Sequence, residues 1–262
     1  MEKSYPYILL LAAMVIFSGC SSSPGIGGVQ KDPKELFKEL ALKSLIPPNG
    51  RYDYNIKLNL SNLEPEMPSF LSNMNVDTSI YNFNGRTKTS MTMTVMGMTA
   101  TASIYNNNGS IVTCSEVAGL SGMKCVRGES GSAATLNNFN GQQFNELFQK
   151  NADKLPDISL AEKQYGGRGC YDFSISLDGS DFQKLAQSDP DMNIPSSYYS
   201  DSQVKYNVCL DKQYGFACLV DMKFINVSRQ PDPVTMSMRM ELKRFDPAGA
   251  TASDVTAPQI SE

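Results

Sequence analysis

Tyr52-Asp53-Tyr54-Asn55-Ile56-Lys57-Leu58-Asn59-Leu60 alternates apolar and polar residues without a break. Successive side chains of a strand point to opposite faces, so this stretch is a strand with one face buried and the other in water. Residues 234–245 carry a matching pattern. Val234, Met236, Met238, Met240 and Leu242 share one face, and Arg239, Glu241 and Lys243 take the other. Further strands are expected near 78–86, 87–96, 98–106, 110–116, 123–128, 170–177, 203–211 and 215–228, with Asn106-Asn107-Asn108-Gly109 as a hairpin turn.

Three segments read as helix. Asp32-Pro33-Lys34-Glu35 offers a cap, a proline at the first helical position and a glutamate in the first turn. Leu36, Phe37, Leu40, Ala41 and Leu45 then fall on one face, and Pro47-Pro48 ends the run. A second helix is expected over 141–154 and a short one after Asp178-Gly179-Ser180. An antiparallel sheet with one apolar face needs cover, and the helices are the available cover. The expected class is α+β: a large curved antiparallel sheet, a half-open barrel, with two or three helices across its concave face. Residues 61–77 and 189–201 read as loops, and 247–262 as a disordered tail.

The start of the chain has a separate logic. The apolar run Tyr7–Phe17 is 11 residues long. A membrane-spanning helix needs about 20, whereas a secretory signal core needs about 7–15. Ser18-Gly19-Cys20 follows, two small residues before a cysteine. This resembles the lipobox of bacterial and archaeal lipoproteins, with Phe17 where leucine is commoner. The resemblance implies a signal peptide over 1–19, a lipid on Cys20 and a membrane-anchored protein facing the extracytoplasmic side. Ser21 to Gly28 (SSSPGIGG) suits a flexible tether, placing lipidated cysteine and tether over 20–31 and one domain over 32–246.

Composition narrows the function. The chain has no histidine, which removes Ser-His-Asp and Cys-His catalysis and the commonest zinc and copper ligand. It has no tryptophan for a sugar platform, and a net charge of −4 without a basic cluster argues against nucleic acid. No enzyme, cofactor or metal is expected. Ser121-Gly122-Met123-Lys124 matches S-x-x-K, but between two cysteines of a hairpin rather than at a helix start. Asp189, Asp191 and Asn193 imitate the start of a calcium loop, yet Ile194 stands where glycine is required. Asn59, Asn108 and Asn226 head N-x-S/T sequons.

Five cysteines lie past Cys20, and an exported protein should oxidise them. Cys114 and Cys125 bracket a glycine-bearing turn and pair as a clipped hairpin. Cys209 has two candidate partners, Cys218 across a short turn and Cys170 on another strand. The favoured set is Cys114–Cys125 and Cys170–Cys209, with Cys218 a buried thiol.

The methionines remain. Met91, Met93, Met96 and Met98 lie in one segment, and Met236, Met238 and Met240 in another. They fit a core filled by flexible side chains, a soft wall for a greasy ligand, or thioether ligands for Cu(I). The element order on a lipid anchor resembles the lipoprotein-carrier fold of LolA and its mycobacterial relatives LppX and LprG. That resemblance implies acyl chains held between sheet and helices. The candidate lining is Met91, Met93, Met236, Met238, Met240, Leu36, Phe37 and Leu40. The expected partners are the membrane and a lipid or other hydrophobic ligand; the alternative is a ligand-free surface protein with a structural or interaction role.

Overall fold

A computed structural model describes residues 32–43, 48–61, 72–95, 97–107, 110–118, 122–128, 156–181, 202–226 and 234–259. They form one helix, α1 (Pro33–Lys43), and eleven strands: β1 (Gly50–Ser61), β2 (Asn73–Phe83), β3 (Arg86–Val95), β4 (Met98–Asn107), β5 (Ser110–Val117), β6 (Lys124–Gly128), β7 (Ser159–Tyr165), β8 (Arg168–Leu177), β9 (Ser202–Asp211), β10 (Ala217–Asn226) and β11 (Val234–Asp246). A further helix begins at 179–181, where the Asp178 carboxylate accepts from the backbone N–H of Ser180 and Asp181.

The strands make one antiparallel sheet in the order β6-β5-β4-β3-β2-β1-β11-β10-β9-β8-β7. Two meanders run outward from the middle, and the first and last strands meet there. The pairing of β1 with β11 joins the meanders, matching Ile56 to Met240, Leu58 to Met238 and Leu60 to Met236. All other neighbours are consecutive in sequence.

This corrects the expected class. The fold is a nearly all-β open sheet, not α+β with two or three helices across a concave face. Within the described residues α1 is the one full helix on the sheet. Asp32 caps it, accepting from Lys34 N at 2.8 Å, and its Phe37 ring meets Phe173 edge-on at 5.0 Å. Phe37 and Leu40 are buried in the main core, and Lys38 and Lys43 pair outward with Glu35 and Glu39. The expected helix over 141–154 lies outside the described residues.

The sheet needs less helical cover because it covers itself. On β8–β10 both faces are buried. Phe173, Ile175, Val208 and Val220 fill one face, and Cys170, Asp172, Cys209 and Asp211 lie buried on the other. The tip of the β7–β8 hairpin curls over that second face. Tyr165 Oη accepts from Arg239 Nη2 at 3.1 Å, although β7 is four strands from β11 in the sheet.

Two local expectations also change. β2 starts at Asn73, inside the stretch read as a loop, and β7 was not anticipated at all. The segment after β11, read as a disordered tail, is shaped and packed: Ala250 and Val255 are buried, and Ala257 packs on Tyr105, Val112 and Cys114.

Candidate functional site

The register puts the five methionines of the candidate lining on one face of the sheet. Met236, Met238 and Met240 face Leu60, Leu58 and Ile56 of β1 on one side, and Phe224, Met222 and Val220 of β10 on the other. Met93 continues the row Met240–Ile56–Val76–Met93, and Met91 lies opposite Thr78. Three strand spacings separate the two methionine groups, about 14 Å.

Burial divides the eight residues. Met236, Met238 and Met240 are 3%, 1% and 2% exposed, and Phe37 and Leu40 lie in the same core cluster. A side chain that closed off has no water-sized space beside it, so the central stripe is a packed core. Leu36, Met91 and Met93 are half-buried at its margin, and Ala100 and Ala102 of β4 face Met93 and Met91. Met98 is exposed on β4. Cys20, Met96, the calcium-like loop and Asn108 lie outside the described residues.

The cysteines pair as the favoured set. Cys114 and Cys125 oppose each other directly on β5 and β6, with Cα atoms 4.0 Å apart. Cys170 and Cys209 join β8 to β9. Cys218 is a buried thiol in a bulge where β10 slips register against β9. Burial pushes that thiol up to about 12, the nearby Asp211 carboxylate adds to the shift, and Arg168 opposes it.

The structure also shows a constellation around Arg168, in the turn Gly166-Gly167-Arg168-Gly169, that the sequence does not single out. Arg168 Nε donates to Asp211 Oδ2 at 2.6 Å, while Asp211 Oδ1 accepts from the backbone N–H of Gln213 and Tyr214. The guanidinium lies 5.2–5.5 Å from the ring centroids of Tyr214, Phe216 and Phe245, and Tyr52 packs against the latter two rings. This has the form of an aromatic cage for a cation, and the protein's own arginine fills it. Its chemistry is structural: it satisfies a carboxylate only 2% exposed and locks the β9–β10 turn to the β7–β8 hairpin. The signal was present in two short turns, GGRG and DKQYG, but their pairing is non-local.

No family model and no curated protein matches the chain. Among solved structures, the crystal structure of MucB in complex with MucA(peri) is similar at 11% identity and a TM-score of 0.35. That match covers 80% of this chain, and the chain spans 54% of that structure. A likeness at this level carries no argument about function.

Proposed function

We propose that this chain is an exported interaction protein, held to the extracytoplasmic side of a membrane through a lipid on Cys20 and working without catalysis. The carrying observation is the packed methionine stripe. Met236, Met238, Met240, Phe37 and Leu40, which a carrier would turn toward acyl chains, are buried together in one core cluster. Two disulfides suit an oxidising compartment. The open sheet supports a protein-binding role, because among the described residues β6 and β7 end it and no further strand pairs their outer edges.

A second reading keeps a hydrophobic ligand. It is favoured by the half-buried Leu36, Met91 and Met93 beside the small Ala100 and Ala102, and it moves the ligand from the central seam to β3 and β4.

Two experiments test the proposal. Changing Cys20→Ser should move the protein from the membrane to the soluble fraction; retention in the membrane would overturn the anchor. Titration of the soluble domain with a fluorescent fatty acid should show no saturable uptake. Stoichiometric uptake lost in Met91→Ala and Met93→Ala would replace the interaction reading with the ligand reading.

A further inference from the structure

The segment after β11 crosses the face opposite the methionine seam. There the register sets Asp246, Arg51, Tyr81, Lys88, Tyr105 and Val112 in one cross-strand row. Arg51 lies 5.3 Å from the Tyr81 ring centroid, and Lys88 lies 5.5 Å from Tyr81 and 5.3 Å from Tyr105. Two cations therefore alternate with two tyrosine rings along the row.

The C-terminal segment spans this row. It starts against Arg51 at Gly249, where an added Cβ would come within 2.9 Å of the Arg51 Cβ. It reaches Tyr105 and Val112 at Ala257. Between them Ala250 and Val255 are 9% and 1% exposed. Asp254 accepts from the Thr251 N–H and hydroxyl at 2.9 and 2.7 Å. Thr256 Oγ1 donates to the carbonyl of Ala252 at 2.7 Å. These bonds shape the segment from within, and it adds no strand to the sheet. It is a self-folded strap, shaped by one carboxylate and seated by small apolar side chains.

We propose that this strap is a displaceable occupant of a docking strip, and that the strip takes a protein segment of the strap's own chemistry, a carboxylate-capped turn flanked by small apolar residues. The proposal rests on the interaction-protein reading and gives it a site. A carboxylate that caps the turn replaces Asp254, and a small side chain replaces Ala257 on Tyr105 and Val112. A strap tethered to its own strip competes at high effective concentration, so the intact protein should bind such segments weakly.

The test uses the full chain and a fluorescent peptide of residues 247–259, read by anisotropy. The Val255→Asp chain, which cannot seat its strap, should bind the peptide at least about tenfold more tightly than the unchanged chain. A peptide carrying Asp254→Asn should bind about tenfold more weakly than its parent. Equal binding to both chains, or none to a variant whose circular dichroism and disulfide content are unchanged, overturns the proposal. Hydrogen exchange on the unchanged chain keeps it falsifiable if that variant fails to fold. Residues 250–257 should open in a step of their own while β1 and β11 stay protected, and exchange of the strap only together with those strands would refute displacement. Finding a bound lipid would damage the interaction reading and leave both measurements unaffected.

Discussion

Met238 is the side chain whose removal best separates a packed core from a ligand wall. It lies at the middle of the seam, between Leu58 and Met222, and is 1% exposed. Met238→Ala removes three heavy atoms beyond Cβ. At about 0.8 kcal/mol per buried methylene-sized group, transfer alone costs about 2.4 kcal/mol. The cavity left in a seam tied down by strand pairing on both sides raises this to about 3 kcal/mol. Met238→Leu keeps the volume and should cost less than about 1.5 kcal/mol. Urea unfolding of the oxidised domain, followed by circular dichroism, reads both. Met91→Ala, half-buried on β3, should cost clearly less than Met238→Ala. A Met238→Ala variant within about 0.5 kcal/mol of the parent would refute the packing argument, because only a side chain lining open space is removed so cheaply.

Further outcomes follow from the same contacts. Removing Cys170–Cys209, which spans 39 positions, should cost about 4 kcal/mol by loop entropy, against about 3 kcal/mol for Cys114–Cys125, which spans 11; thermal unfolding of the paired serine variants gives the order. Arg168→Met should destabilise by roughly 3 kcal/mol, since it strands a buried Asp211 carboxylate and uncovers the rings of Phe216 and Phe245. Denaturant midpoints of Arg168→Met and Asp211→Asn measure this, with Asp211→Asn the milder because no charge is left buried. Cys218 should resist thiol reagents in the native protein and react once urea unfolds it. As pH rises past the ordinary 9.0, the unfolded thiol loses its proton while the folded one keeps it to about 12, so this group's contribution to stability falls across that window. The parent should therefore lose stability relative to Cys218→Ala across that window in alkaline unfolding curves.

The strands were legible because their signal is local. The alternation over 52–60 and 234–245 fixed which side chains face the core, and both disulfides joined strands already visible in the pattern. The pairing of β1 with β11 was less legible, since nothing near either strand says that the two ends of the chain meet. β7 escaped notice because Ala161, Glu162, Lys163 and Gln164 are all exposed on an edge, leaving little alternation to read. The strap escaped because its apolar content is a few small residues and Val255, too sparse to signal burial. The class was misjudged on one physical point. Cover for the second face comes from the sheet's own curl, with Tyr165 reaching Arg239, and from the strap. The five candidate methionines share one sheet face, but periodicity cannot distinguish a wall from a core. Burial makes that distinction, and it depends on β10 and α1, which are distant in sequence.

Native mass spectrometry of residues 21–262, produced as a soluble oxidised domain and extracted gently, tests the central claim most directly. The account predicts the bare polypeptide mass less four hydrogens for the two disulfides, with one thiol open to alkylation after unfolding. Extra mass that organic solvent removes and that proves to be lipid would contradict it, and would favour the hydrophobic-ligand reading.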